Sequence, residues 1–264
     1  MARRPIITLT TDFGYDDPFV GVMKGVILKI NPDVEIVDFS HGIKSRNIAE
    51  AAFTIGMNYR YFPDGTVHVV VVDPGVGSMR RPILVRSGHN YFIGPDNGVF
   101  TKVYAENREI LEVIHITASH YFLSADSPTF HGRDVFAPVA AWFLKGVNMY
   151  RFGDAIHDFK HISLPVALKA PDGGLCGEVI KIDKYGNAIT SISVADIRGL
   201  GDAVFARIDS KKVPLFRFYS EAREGVLGAL VNSSDLLEFF VYMGSAARDF
   251  EISVGDFVEV KAQV

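Results

Sequence analysis

One cysteine, Cys176, is all that this 264-residue sequence contains. That excludes an internal disulfide and any cysteine-rich zinc site, and it fits a reducing, cytoplasmic interior. No apolar run approaches the ~18 residues of a membrane span. The opening residues, MARRPIITLT, pass straight into a short strand pattern, where a secretory signal would need an apolar stretch of roughly 7–15 residues and a cleavage site. An excess of basic charge is missing too. Lys and Arg number 27 against 31 Asp and Glu, a net charge of −4, so a polyanionic partner such as nucleic acid is not expected. Neither repeats nor low-complexity segments occur. What remains is a cytoplasmic chain with no membrane or nucleic-acid partner, long enough for one large domain or two modest ones.

The densest chemistry lies in VVVVDPGVGSMRR, residues 69–81. Four valines in a row predict a strand buried on both faces. Asp73 then stands at the carboxyl end of a strand, where open parallel sheets keep their ligand groups. Gly75 and Gly77 allow a tight turn, and Arg80 can fold back over the same pocket. Arg81 reads as a surface charge.

The preceding chain alternates strands and helices. Ile6 to Thr11 predicts a strand, followed at once by TTDFGYDDP, in which Asp17 is expected to cap a helix with Pro18 at its first position. Phe19, Met23, Val26, Ile27 and Ile30 form that helix's apolar stripe. Asp12, Asp16 and Asp17 thus crowd one turn, as a cationic or polyhydroxyl ligand would require. Val34 to Phe39 predicts a second strand, and His41 just beyond it reads as a satisfied loop histidine. Pro82 to Arg86 and Tyr91 to Ile93 predict a hairpin, and Leu111 to Ile116 another strand. This alternation indicates an α/β domain with a mainly parallel sheet. SPTFHGRDVF, residues 127–136, brings His131, Arg133 and Asp134 to the entrance of a helix that ends near Gly146.

The texture changes near Lys169. APDGGLCG reads as a linker, and seven short alternating segments follow it, which predict a smaller all-β, barrel-like domain. The boundaries expected are 1–168 and 169–264. On their own, Asp183, Tyr185, Asn187 and Ser233 read as turn residues.

Six segments in order, TDFGYDD, VVDPGVGSMR, IGPDNGVF, PTFHGRD, IDKYGN and VNSS, make the chain resemble the S-adenosylmethionine hydroxide adenosyltransferases, relatives of the bacterial fluorinase and chlorinase. The resemblance implies an α/β domain before a β-barrel-like one, and a homotrimer with active sites between subunits. It also implies conversion of S-adenosylmethionine (SAM) and water to adenosine and L-methionine, with no metal and no cofactor. The family's catalytic triad falls on Asp73, Arg80 and His131. The resemblance further places Asp12 on the ribose hydroxyls, Asp17 and Asp183 on the methionine ammonium, and Ser233 on its carboxylate. Asn187 meets the adenine edge, Tyr185 and Tyr219 stack, and Glu238 and the backbone near Val241 complete the pocket. Two positions depart from fluorinase: Ser234 replaces an arginine and Arg46 a tryptophan. The halogenating relatives replace the triad's first residue by tyrosine and also lack its histidine, so these residues point to water as the nucleophile.

The residue types suit that chemistry. Free water, with a pKa of about 15.7, must be oriented and its hydroxide character favoured as it attacks. The sulfonium leaves without acid assistance, so positioning the attack in line is the main task. Two rivals remain. TTDFGYDD is also similar to the calcium site of nucleoside hydrolases, although Thr10 and Phe13 replace a carboxylate and a proline there. A non-catalytic trimer that binds SAM or adenosine as a sensor is the other, and it has no need of the triad.

Overall fold

The computed structural model describes residues 4–106, 108–123, 128–201 and 204–262. Ser127, which begins SPTFHGRDVF, and Ala203, where one of the seven short segments is expected to begin, lie outside them. The chain forms two compact units that divide between Ile162 and Ser163. The segment 163–168 therefore belongs to the second unit, whereas the sequence reading places it in the first.

The first unit holds β1 (Ile6–Thr11), α1 (Phe19–Ile30), β2 (Glu35–Ser40), α2 (Ile48–Asn58), β3 (Val67–Val71), β4 (Pro82–Ser87), β5 (Asn90–Pro95), α3 (Thr101–Glu106), β6 (Leu111–Ile116), α4 (Ala137–Leu144) and β7 (Gly153–Ala155). Its sheet has the order β2-β1-β3-β5-β4-β6-β7. The β1–β2, β1–β3 and β3–β5 pairs are parallel, and β4 runs against both β5 and β6. The sheet is therefore mainly parallel, with the expected hairpin set into it.

The valine run explains why β3 is central. Val67, Val69 and Val71 enter a core shared with α1 and α4, whereas Val70 and Val72 enter a second core that includes residues of α2 and α3. Alternate side chains thus leave water on opposite faces, and a strand this apolar is stable only when covered on both. Val67, Val69, Val70 and Val72 are wholly buried; a fully buried valine contributes about 1.5–3 kcal/mol, so the run anchors whatever follows its carboxyl end.

α1 departs from expectation at its start. The helix begins at Phe19, Pro18 occupies the cap position, and no side chain caps it. The Pro18 carbonyl accepts from the Val22 N–H at 2.9 Å, so Asp17 sits one residue too early to serve as cap. Its carboxylate is left to face elsewhere.

The second unit contains β8 (Leu168–Lys169), β9 (Leu175–Ile182), β10 (Ala188–Ser193), α5 (Val194–Arg198), β11 (Val204–Ile208), β12 (Lys211–Val213), β13 (Leu227–Val231), β14 (Leu236–Val241), α6 (Ala246–Asp249) and β15 (Phe257–Ala262). Every strand pair in it is antiparallel, in the order β12-β11-β15-β9-β10-β14-β13, with β8 added beside β9. A bridge from Leu215, just after β12, to Ala229 in β13 brings the two ends of the sheet together. The result is the nearly closed barrel that the seven short segments predict, wrapped around a core that includes Val179, Ile192, Leu237 and Phe239.

Candidate active site

Asp73 lies two residues beyond β3. Arg80, seven residues later, folds back: its Nε donates to Asp73 Oδ1 at 2.9 Å and one Nη to Oδ2, and both side chains are 4% exposed. The same Nη donates to His131 Nδ1 at 2.8 Å. Because a guanidinium only donates, Nδ1 must accept, and the neutral imidazole carries its proton on Nε2. Burial first, and the Arg80 charge second, lower the pKa of His131 below its ordinary value. A second proton on Nδ1 would point at a cation. The remaining Nη of Arg80 has no hydrogen-bond partner among the described residues, and the guanidinium lies 5.4 Å from the Phe136 ring centre.

Two glycines make this cluster possible. Gly77 has φ +77, and a Cβ there would come within 2.4 Å of the Pro128 carbonyl oxygen. Only glycine lets the loop after β3 come so close to the segment leading to His131. Gly132 is pressed against Phe130, Met23 and Val71. It opens a wide turn, Gly132–Phe136, in which the Ala137 N–H reaches back five residues to the Gly132 carbonyl before α4 begins. Such π-type turns frequently occur at functional sites.

Asp73 and His131 line a cavity of about 720 Å³ together with Asp12, Asp17, Arg46 and Arg133. Its aromatic wall, which the sequence reading passed over, consists of Phe13, Phe19 and Phe130, with ring centres 5.3 to 5.8 Å apart. Asp12 is oriented by Arg46, whose backbone N–H donates to Asp12 Oδ2 at 2.7 Å. Arg46 has φ +63, which no ordinary strand or helix position demands. Arg133 is paired with Asp134 at 2.7 Å. His41 is satisfied, as expected, by Thr11 at 2.8 Å and Asp38 at 3.0 Å.

Arg81 is no surface charge. Its guanidinium forks onto buried Asp96 at 2.7 and 3.0 Å and also reaches Asp158 at 2.8 Å. That places a structural ion pair beside the catalytic-type one.

In the second unit, Asp183, Tyr185, Asn187, Tyr219 and Val241 line a separate cavity of about 450 Å³. Asp183 Oδ1 accepts from the backbone N–H groups of Tyr185 and Asn187 at 2.8 and 2.9 Å, and Oδ2 accepts from Asn187 Nδ2 at 3.1 Å. The turn is therefore held by its own carboxylate, and one amide hydrogen of Asn187 is already committed. Ser233 and Glu238 do not line this cavity. Glu238 is 3% exposed, and Ser233 sits on the turn between β13 and β14. Among the described residues no group of three or more His, Cys, Asp and Glu side chains is arranged to hold a metal, and no helix is long and apolar enough to cross a membrane.

An α/β unit that ends a buried strand in an Asp–Arg–His cluster, followed by an antiparallel barrel with a polar and aromatic cavity, defines a two-domain protein of the enzyme type. Its two halves match the SAM hydroxide adenosyltransferase N-terminal domain over residues 7–153 and the corresponding C-terminal domain over residues 177–259. The chain belongs to the SAM hydroxide adenosyltransferase family. Among its relatives, the (R)-S-adenosyl-L-methionine hydrolase of Methanocaldococcus jannaschii is 36% identical, covering 97% of this chain and 95% of that protein. The hydrolase of the same name from Thermus thermophilus is 35% identical, covering 96% and 97%. A fluorinase of Actinopolyspora mzabensis is 28% identical, covering 97% of each. Among solved structures, an uncharacterized conserved protein from Thermotoga maritima superposes with a TM-score of 0.88 at 33% identity, covering 97% of this chain and 99% of that one.

Proposed function

We propose that this chain hydrolyses S-adenosyl-L-methionine to adenosine and L-methionine. The observation that carries the reading is the buried Asp73–Arg80–His131 cluster, two of whose members open on a cavity large enough for a nucleoside. Water attacks the ribose 5′-carbon in line with the sulfonium sulfur. The C5′–O bond forms as the C5′–S bond breaks, its electron pair stays on the methionine sulfur, and one proton is released. Asp73 is the acceptor that orients the water and receives that proton on its way to solvent. Arg80 fixes the carboxylate through its two-pronged contact and supplies a permanent positive charge beside the developing hydroxide. His131, neutral and already accepting at Nδ1, holds the guanidinium in place and presents its Nε2–H as a donor.

In this reading Asp12 takes the ribose diol, since its Oδ1 has lone pairs to offer while Oδ2 is held by Arg46. Asp17 meets the ammonium with Asp183. Asn187 reads the adenine edge, Tyr185 and Tyr219 stack on the base, Ser233 holds the carboxylate, and Glu238 and the backbone near Val241 complete the pocket. The chain acts as a homotrimer with its active sites at subunit interfaces. We assign no metal or cofactor to the reaction.

The test is incubation of the purified protein with SAM, with and without a chelator, followed by chromatography. Adenosine and methionine in equal amounts at a rate indifferent to chelation support the reading. Binding of SAM without product points to a sensor, and activity lost on chelation and restored by calcium points to a metal-dependent nucleosidase.

A further inference from the structure

Asp96 and Asn97, directly after β5, reach the two ends of the loop that carries Asp73 and Arg80. Asn97 Nδ2 donates to the carbonyl of Val72, the residue before Asp73, at 2.9 Å. Its orientation is set, because Oδ1 accepts from the Val99 N–H at 3.1 Å and only the amide hydrogens can face Val72. Asp96 takes the other end. Its backbone N–H donates to the Arg81 carbonyl at 2.8 Å, and its Oδ2 accepts from Nε and one Nη of Arg81 at 3.0 and 2.7 Å. Its Oδ1 accepts from the Lys160 N–H at 2.7 Å, so this carboxylate, 1% exposed, is braced from behind. Between these ends the loop turns on short-range bonds of its own. The Ser78 N–H and hydroxyl both donate to the Gly75 carbonyl, at 3.0 and 2.7 Å, and Met79 is 98% exposed. A turn closed on itself leaves the separation of its ends soft, yet Asp73 and Arg80 meet in a fork whose geometry tolerates little drift.

We infer that Asp96 and Asn97 are positioning residues for the reaction: as one brace they hold the chain immediately before Asp73 and immediately after Arg80, and so set the fork between the two. The inference rests on the SAM-hydrolase reading above, in which Asp73 and Arg80 act on the attacking water. Neither Asp96 nor Asn97 lines the cavity. Loosening them displaces the reacting groups and leaves the groups that bind substrate in place, so the loss falls on kcat and not on KM.

The experiment combines steady-state kinetics with an NMR titration of the His131 ring, whose signal is identified by its loss in His131→Gln. Arg81→Met and Asn97→Asp each cut one end of the brace; the new carboxylate still accepts from Val99 but cannot donate to Val72. Both should lower kcat about tenfold or more, with KM for SAM within about threefold. Arg81→Lys should keep kcat within about threefold of wild type, because both Arg81 bonds to the Asp96 carboxylate end on one oxygen, which a single ammonium can reach. Asp158→Ala removes only the exposed outer carboxylate and should leave kcat within about twofold. Burial first and Arg80 second hold the His131 pKa down, while Asp73 and Asp134 raise it. With Arg80 loosened, the His131 midpoint should therefore rise by about half a pH unit or more in Arg81→Met and in Asp96→Asn. These two variants remove opposite charges, so a shared upward shift reads geometry, and a smaller folded fraction cannot produce it. Should Arg81→Met fail to fold, Asp96→Asn and Asn97→Asp decide. Unchanged kcat in Asn97→Asp, Arg81→Lys as impaired as Arg81→Met, or a wild-type His131 midpoint in Asp96→Asn overturns the inference. Wild-type protein that forms no adenosine sinks the functional reading, whereas the His131 titration still decides whether the brace holds Arg80.

Discussion

Arg80 grips Asp73 with two parallel hydrogen bonds, one of them Nε to Oδ1 at 2.9 Å, across a turn of six intervening residues. A fork of this kind fixes the carboxylate in orientation as well as in charge. Lysine, a point charge on a flexible stem, keeps the charge and loses the fork. Arg80→Lys and Asp73→Asn should each lower kcat about 10²-fold or more while KM for SAM changes by less than about threefold, the pattern of groups that act in the transition state. Steady-state kinetics check this, and equal losses in binding and turnover contradict it.

His131 is held neutral by burial and by Arg80, so its charging lies below the usual histidine range. Activity should therefore persist as the pH falls through about 6.5 and decline only at lower pH, when a proton forced onto Nδ1 breaks the Arg80 contact. In Arg80→Lys, where the flexible ammonium no longer needs to press on Nδ1, the acid limb should move upward. A pH profile of kcat in both proteins reads this directly. An acid limb centred at or above 6.5 in the wild type runs against the assignment.

Much of this arrangement is legible in the residues themselves, for identifiable reasons. Val69 to Val72 can be read as a doubly buried strand because consecutive valines place an apolar side chain on each face in turn. Asp73 and Arg80 can be paired on paper because Gly75 and Gly77 mark a turn between them. The barrel strands announce themselves by alternation. Other features depend on distant chain and leave no local mark. Arg81 looks like a surface charge because one of its partners, Asp158, lies 77 residues away. Asp17 resembles a cap because Asp-Pro usually is one, and only the actual start at Phe19 shows otherwise. β7 has three residues and no apolar pattern; its pairing with β6 creates it. The separation of the predicted ligand residues into two cavities is likewise a property of the fold.

A different histidine governs stability. His68 in β3 is fully buried, bonded to Thr8 through Nδ1 at 2.8 Å and stacked 5.1 Å from Phe92, with no partner for Nε2 among the described residues. Burial pulls its pKa down to about 3. Below about 6.5 the unfolded chain takes up a proton that the folded protein refuses, so stability falls as pH drops from 6.5 toward 3. The loss approaches about 1.4 kcal/mol per pH unit for this group. Urea midpoints at several pH values should show a steeper acid slope in the wild type than in His68→Leu. Parallel slopes refute this.

The proposed homotrimer, with active sites at its subunit interfaces, predicts complementation. Arg80→Ala is impaired in the first unit and Asp183→Ala in the second, and each variant alone should be nearly inactive. Unfolding and refolding the two together allows a subunit interface to combine two intact halves. Activity should then exceed the sum of the separate variants several-fold. Purely additive activity contradicts sites built from two subunits.

The most direct test of the central claim, that water attacks the ribose 5′-carbon, is hydrolysis of SAM in ¹⁸O-labelled water with mass analysis of both products. The account predicts one ¹⁸O in the 5′-hydroxyl of adenosine and none in methionine. Label in the amino-acid product, or methylthioadenosine in place of adenosine, contradicts it.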